Sequence, residues 1–568
     1  MIIQPIVNIA EICARHGIEK AVICPGSRSA LLTLAFARHP KIETFVIPDE
    51  RSAGFIALGL SQSSHIPIAI ICTSGTAAAN LYPAIIESYY QQVPLVIFTA
   101  DRPPEWIDQQ DGQTIRQQNI YNNHICASFQ FPVSFDHVDA VWHSEKMISE
   151  AIIISTGKTK GPVHVNVPVR EPFYPSPDEI FHYSKSIKII AQQQSGMHLK
   201  AAQEETLLEH LHNHEKIMVL AGQSEMSEEI LDLLRKIQQN LKWVIIGDII
   251  SNIHQVEHAI THHDIILSKQ IDSSELVPDL LISFGKSILS KNLKTFFREN
   301  NPYSHWHVGD NNEVIDSFKS LTKKIFLDEQ LFLKIVAKSP IKLNNTQNKF
   351  FNNWKEKDLI SGNFLNQYLS KDTFSEFHAV YNVIKNLPKN TVLHLANSMP
   401  VRYANYIGIE IDANIQVCAN RGTSGIDGCI STAVGHALNS KAIHTIISGD
   451  MAFFYDRNAL WHNHLPSNLR IVILNNHGGG IFRLINGPKH LDELEEFFET
   501  NQKLNAANTA RDFGMKYYTI KTIAALPGFL EQFFNEKEGP SILEIETDPK
   551  TNQQVFEDFK HSSSQLWN

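Results

Sequence analysis

The chain has 568 residues, enough for roughly three domains. With 43% hydrophobic and 19% charged residues it can bury several cores, which excludes a disordered chain. A formal net charge of −10 and the lack of any basic run exclude a general nucleic-acid-backbone binder, while local basic pockets for acidic substrates stay open.

Residues 1–17 read as an amphipathic helix without the cationic start, apolar stretch and small-residue cleavage site of a secretory leader. No run reaches ~18 apolar residues, so no membrane span is expected. Short apolar runs at 21–24, 44–47, 68–72, 95–99 and 163–167 alternate with helical stretches. That pattern predicts a parallel sheet with helices on both faces. A polar segment at 184–204, with a QQQSG tract, reads as a linker. A second α/β unit follows, with strands expected at 217–221, 243–247 and 280–284. The Asn-rich stretch 340–358 marks another boundary. The third unit has strands expected at 391–395, 415–418, 444–448, 470–474 and 541–545. The expected division is therefore 1–183, 184–358 and 359–568: three doubly wound α/β domains. Cysteines 13, 24, 72, 126, 418 and 429 form no CxxC pair and read as reduced thiols of a cytoplasmic protein.

Such a layout hosts many activities, so function must come from sites. The run 444–448 leads straight into Gly449-Asp450, and the run 470–474 into Asn475-Asn476. In an open parallel sheet the carboxyl ends of the strands share one edge, where ligands bind. A carboxylate and an amide oxygen would arrive there together, as hard ligands for a Mg²⁺ (or Mn²⁺) that keeps phosphate oxygens in its other positions. His477-Gly478-Gly479-Gly480 follows, and its glycines let backbone approach a diphosphate. Either dipeptide alone is ordinary turn chemistry. Together, with Asn476 26 residues after Asp450, they resemble the thiamine-diphosphate signature, usually written GDG followed by NN; Met451 departs from its third position. That cofactor also needs a carboxylic acid on its aminopyrimidine. Glu50, after the run 44–47 and opening the small-residue helix Arg51-Ser52-Ala53-Gly54, fits that need.

Arginines cluster at strand ends: Ser27-Arg28, Asp101-Arg102 with Gly112-Gln113 close behind, Ser398 to Arg402, and Asn420-Arg421. Each alone reads as a surface charge. Several together imply substrates with several carboxylates.

The stretches CPGSRS, PDERSAGFIALGL, TSGTAAANLYPAIIE, TADRPPE, GQTIRQ, NSMPVR, NRGTSGIDG and NNHGGGIF run in order from residue 24 to 482. They resemble the SEPHCHC synthase (MenD) family of menaquinone biosynthesis. The resemblance implies a pyruvate-decarboxylase-like architecture of pyrimidine-binding, central and diphosphate-binding domains. It implies thiamine diphosphate and Mg²⁺ as cofactors, and isochorismate and 2-oxoglutarate as substrates. A homodimer or dimer of dimers with sites shared between chains is implied as well. Phe453 keeps the family's GD-x-x-F pattern. Carried over residue by residue, Asp450, Asn476 and the Gly478 carbonyl would hold the metal. Glu50 would activate the cofactor, Ile426 would buttress it, and Gly449, Gly479, Ile481 and Phe482 would line it. Ser398, Arg402 and Arg421 would hold the oxoglutarate part; Ser27, Arg28, Arg102 and Gln113 would hold isochorismate; Ile481, Phe482 and Ile485 would wall the pocket. Gly112 stands where relatives often have Asn, and His477 where they have a polar residue such as Asn. Of the central-domain lysines, Lys291 fits the pattern better than Lys286.

Two rival readings are another thiamine-diphosphate ligase or decarboxylase, of acetolactate-synthase type, and a non-catalytic carboxylate-binding regulator. A nicotinamide dehydrogenase is disfavoured, because no GxGxxG follows the first strand. Many of the histidines, such as His210, His212 and His214, lie in polar stretches and are expected to be solvated; His262-His263 lack metal-ligand spacing, and the tryptophans are expected in the core.

Overall fold

The computed structural model describes residues 2–176, 179–193, 198–269, 273–535 and 539–567. Of the linker expected at 184–204, residues 194–197 lie outside the described residues. Among the described residues three sheets form, and every strand pairing in them is parallel.

The first sheet holds β1 (Lys20–Ile23), β2 (Glu43–Val46), β3 (Ile68–Cys72), β4 (Leu95–Asp101), β5 (Ala127–Gln130) and β6 (Val163–Pro168), in the order 2-1-3-4-6-5. The second holds β7 (Ile217–Ala221), β8 (Val244–Gly247), β9 (Leu280–Phe284), β10 (Ser304–Val308) and β11 (Lys323–Ile325), in the order 11-10-9-7-8. The third holds β12 (Val392–Leu395), β13 (Gln416–Cys418), β14 (His444–Gly449), β15 (Leu469–Asn475), β16 (Lys516–Ile520) and β17 (Ser541–Glu546), in the order 13-12-14-15-17-16. Counted within its own domain, the third sheet repeats the order of the first.

Four strands escape the sequence reading. β5, β11 and β16 lie at sheet edges, where half the backbone faces away from the ladder and polar side chains are tolerated. β10 hides for another reason. Its buried His305 and His307 bond the Ser283 hydroxyl at 2.8 and 3.0 Å, so its interior is polar.

The Asn-rich stretch at 340–358 is no loop. Asn344 caps a continuous helix, Asn345–Leu369, by accepting the Gln347 N–H at 2.7 Å. Phe350, Phe351 and Trp354 pack into the central domain and Leu365 and Leu369 into the third. The division expected at 358/359 thus falls inside one helix that serves both cores. His210 and His212 are exposed as expected and His214 is half-buried, while ten other histidines, among them His164, His263, His394, His436 and His444, are buried. Trp243, Trp306 and Trp354 are core residues, but Trp106, Trp142 and Trp461 are about half exposed.

The helices that follow the second strands of the first and third sheets, Glu50–Ser64 and Cys429–Leu438, pack on each other in one shared core. Two glycines allow it. A Cβ on Gly59 would lie 2.1 Å from the Thr432 carbonyl oxygen, and one on Gly435 would lie 2.1 Å from that of Ile56. The first domain is therefore locked to the third, which sets where Glu50 sits.

Candidate functional site

At the carboxyl edge of the third sheet, Asp450 follows β14 and Asn476 follows β15, on neighbouring strands. Asp450 is 2% exposed; burial pushes its carboxyl up to about 6. Its Oδ2 accepts the Gln502 side-chain N–H at 2.7 Å, and the Gly478 N–H also favours its anion. The Gly478 N–H donates to Asn476 Oδ1 at 3.1 Å. The structure thus brings Asp450, Asn476 and Gly478 together. Gly478 must be glycine here, because a Cβ would sit 2.9 Å from the Glu499 carbonyl oxygen. His477 adopts a left-handed φ of 63°, turning the chain back so that its carbonyl accepts the Gln502 backbone N–H at 3.0 Å.

A carboxylate missed in the sequence stands behind this loop. Glu376 is buried, and Asn476 Nδ2 donates to its Oε1 at 2.6 Å. Tyr403 also bonds the carboxylate. Burial, then the nearby Asp450, pushes the Glu376 carboxyl up to about 8. The amide N–H₂ of Asn476 is thereby committed to Glu376, and its oxygen is turned to the loop. A buried carboxylate and a fixed amide oxygen are the donor set that a hard divalent cation takes, so these residues fit Mg²⁺ carrying a diphosphate. The only sequence signal for Glu376 is a Ser-Glu pair that opens a helix, Glu376–Lys385, where the helix dipole alone would explain it.

Glu50 opens its helix behind an Asp49 cap that accepts the N–H groups of Arg51 and Ser52 at 2.9 and 3.3 Å. Both neighbours of Glu50 reach the third domain. Asp49 accepts Asn458 Nδ2 at 2.7 Å, and Arg51 donates to the Tyr455 carbonyl at 2.7 Å. Glu50 itself accepts from Asn80 at 3.5 Å, within the first domain. Among the described residues, no hydrogen bond joins it to Asp450 or Asn476 of the same chain.

The arginines separate into two pairs. Arg28, 4% exposed, donates to the Val169 carbonyl at 2.9 Å and lies over the Phe173 ring at 4.4 Å. Arg102 pairs with Asp111 at 2.8 Å and donates to the Gly112 carbonyl at 2.9 Å. Burial and then Arg102 lower the pKa of Arg28. Ser27 and Gln113 are exposed near this pair, Gln113 at a φ of 56° against Gly75. In the third domain Arg402 and Arg421 form the second pair: burial and then Arg421 lower the pKa of Arg402. Arg421 donates to Asn397 Oδ1 at 2.7 Å, and Arg402 donates to the Ser398 carbonyl. Ser398 is held at a φ of 78°, the strained start of the helix Met399–Ile407. In each pair one Nε is buried without a hydrogen-bond partner among the described residues: Arg102 in the first, Arg421 in the second. Like charges held close with unspent donors call for an anion.

The central domain supplies supports that the sequence did not suggest. Asn405, on the helix of Arg402, donates to Asp264 Oδ2 at 2.8 Å and accepts the Ile249 N–H at 2.8 Å. Asp248 in turn binds His263 at 3.2 Å, and its field reaches Arg421. The expected Lys291 is exposed at the first position of the helix Lys291–Glu299. One turn on, half-buried Lys294 feels both Asp248 and Arg421. Lys286 is engaged elsewhere, on the Gln91 carbonyl. Ile426, Ile481 and Phe482 are half-buried, Gly449 has open space around it, and Ile485 is 43% exposed.

Residues 8–120 match the thiamine pyrophosphate enzyme N-terminal TPP binding domain. Residues 180–395 match the middle domain of thiamine pyrophosphate enzymes, and residues 401–545 the C-terminal TPP binding domain. Among relatives, a 2-succinyl-5-enolpyruvyl-6-hydroxy-3-cyclohexene-1-carboxylate synthase of Cytophaga hutchinsonii is 46% identical over 99% of this chain and 100% of its own. Proteins of the same name from Flavobacterium johnsoniae and Bacteroides fragilis are 36% and 34% identical, covering 97% and 98% of each chain. The chain therefore belongs to the 2-succinyl-5-enolpyruvyl-6-hydroxy-3-cyclohexene-1-carboxylate synthase family of thiamine-diphosphate-dependent enzymes.

Proposed function

We propose that this chain joins 2-oxoglutarate to isochorismate with loss of CO₂, forming 2-succinyl-5-enolpyruvyl-6-hydroxy-3-cyclohexene-1-carboxylate. The observation that carries this reading is the presence of two separate arginine pairs, each with a buried, unspent Nε–H. Two dianionic substrates repel each other unless each is neutralised where it binds.

Thiamine diphosphate, when bound, supplies the electron sink for decarboxylation and for the new carbon–carbon bond. Asp450, Asn476 and the Gly478 carbonyl would hold the divalent cation and, with Gly449 and Gly479, the diphosphate. Ile426, Ile481 and Phe482 keep the reacting face apolar. Glu50 would hold a proton for the aminopyrimidine nitrogen, the acid–base role a carboxylic acid can supply there. Arg402, Arg421 and Ser398 orient 2-oxoglutarate; Arg28, Arg102, Ser27 and Gln113 orient isochorismate, with Ile485 at the rim and Lys291 or Lys294 reaching in from the central domain. We read the active unit as a homodimer, or a dimer of dimers, in which Glu50 of one chain serves the diphosphate loop of the other. The contact of Glu50 with Asn80, and not with its own loop, supports this reading. Six free thiols suit a cytoplasmic location.

The test is direct. The protein is incubated with thiamine diphosphate, Mg²⁺ and 2-oxoglutarate, with and without isochorismate, and CO₂ and product are followed. Product is expected only with both acids present. Faster CO₂ release from pyruvate than from 2-oxoglutarate would overturn the assignment.

A further inference from the structure

Three imidazoles meet in the third domain, away from the site described above. His394 lies on β12, His444 opens β14, and His436 lies on the helix Cys429–Leu438. β12 and β14 are paired with Val392 opposite His444, so His394, two residues on, shares the His444 face. All three are buried, and one ring nitrogen of each lies within 4.8 Å of the others. His394 Nε2 and His444 Nδ1 are 3.1 Å apart. Two imidazole nitrogens on one tetrahedral Zn²⁺, at ~2.0–2.1 Å each, would stand about 3.3 Å apart. His436 Nε2 bonds Gln62 Oε1 at 3.0 Å; since an amide oxygen only accepts, this nitrogen carries the hydrogen and Nδ1 carries the lone pair. An outer oxygen that fixes the tautomer of a ligating histidine is a recurrent feature of metal sites. His444 Nε2 is buried without a partner among the described residues.

Burial drives all three rings toward the neutral form, His436 to about 3 and His444 to about 4, and lowers His394 well below its ordinary value. Neutral imidazole is the form that ligates. His394 borders a cavity of about 400 Å³ whose wall includes Gln62, Cys429, Thr432 and Ile446. A fourth ligand could enter there. His444 precedes Asp450 by six residues, about 20 Å along an extended strand, so this cluster is separate from the diphosphate loop.

We infer that His394, His436 and His444 form a binding site for a divalent transition metal, Zn²⁺ being the first choice for three imidazoles and an open position. The inference stands apart from the proposed reaction. On loading, the ring that carries the hydrogen between His394 and His444 holds it on its other nitrogen instead, so that both facing lone pairs go to the metal. The ion would clamp two strands of the third sheet to the helix Cys429–Leu438. Through Gln62 it would also bear on the helix Glu50–Ser64 of the first domain.

The full-length protein, stripped with chelator and then saturated with thiamine diphosphate and Mg²⁺ to fill the diphosphate loop, is titrated with Zn²⁺. One Zn²⁺ per chain is expected, together with a raised melting temperature. His394→Phe should weaken binding by about 100-fold or more. Gln62→Ala should weaken it less, by the ~10–100-fold typical of losing an outer partner. Co²⁺ on the unaltered protein needs no variant: strong visible absorption of a four-coordinate ion is expected, not the weak bands of a six-coordinate one. Retention of no Zn²⁺, unchanged retention in His394→Phe, or a six-coordinate Co²⁺ spectrum would each overturn the inference.

Discussion

The first and third domains thread six parallel strands in the same order, and their second-strand helices pack on each other through Gly59 and Gly435. Their strand ends nevertheless carry different chemistry. After the first strand, one domain places Ser27-Arg28 and the other Ser398 with Arg402. After the second strand stand Glu50 in one and Arg421 with Ile426 in the other. After the third stand Thr73-Ser74 and Asp450, and after the fourth Asp101-Arg102 and Asn475-Asn476. The shared topology fixes where functional residues stand. The residue at each strand end fixes what they do.

The sharpest way to test that division is to exchange chemistry without changing shape. Glu50→Gln should bind cofactor almost as well as the unaltered enzyme yet lose ~10²–10⁴-fold in turnover, as expected when a general acid–base group is removed. Asp450→Ala should instead lose metal-dependent cofactor binding, measured by calorimetry at saturating Mg²⁺. If sites are shared between chains, mixing these two inactive variants regenerates one intact site per mixed dimer and restores activity. No recovery in verified mixed dimers would confine each site to a single chain.

The arginine pairs come next in size. Each should cost roughly 1–3 kcal/mol in transition-state binding when truncated. Arg402→Ala should raise the KM for 2-oxoglutarate and slow CO₂ release in a single turnover. Arg28→Ala should release CO₂ normally with the donor alone and then stall before product. Equal loss of the donor half-reaction in both would erase the distinction between the domains.

The helix contact is tested by Gly59→Ala, where a methyl group must enter backbone already 2.1 Å away. A loss of about 1–3 kcal/mol in stability is expected from thermal unfolding. Gly112→Ala, with open space around its Cβ, should be neutral.

The remaining test is in pH. Asp450 and Glu376 have folded-state values pushed up to about 6 and about 8, above their ordinary values of 3.8 and 4.5. Groups raised in this way stabilise the fold fully below about pH 4 and lose that contribution as pH rises through about 6 and 8. The melting temperature of the cofactor-free chain should therefore fall across that window, and the difference from the Asp450→Asn variant should isolate the Asp450 part, between about pH 4 and 6. Mg²⁺ with thiamine diphosphate should flatten the fall by stabilising the Asp450 anion.

Much was legible in the sequence because it was local. Apolar runs that end in Gly449-Asp450, Asn475-Asn476 and Pro48-Asp49-Glu50 announce strand ends with polar residues, and a parallel sheet places such ends along one edge. The buried central strands were legible for the same reason. Tertiary structure alone decided the rest. β5, β11 and β16 are polar because they lie at edges, and the helix Asn345–Leu369 is polar because only one face meets two cores. Glu376 stands 100 residues before the Asn476 it fixes, and Asp248 and Asp264 stand well over 100 residues before Asn405. Lys294 rather than Lys291 is half-buried, a difference set by how the helix Lys291–Glu299 packs. The three histidines at 394, 436 and 444 have no motif spacing; strand register and one helix bring them together. Local pattern records what each segment needs from water and from its own backbone. It carries no record of which distant segment will supply a buried group's partner, because that choice is made only when the domains pack.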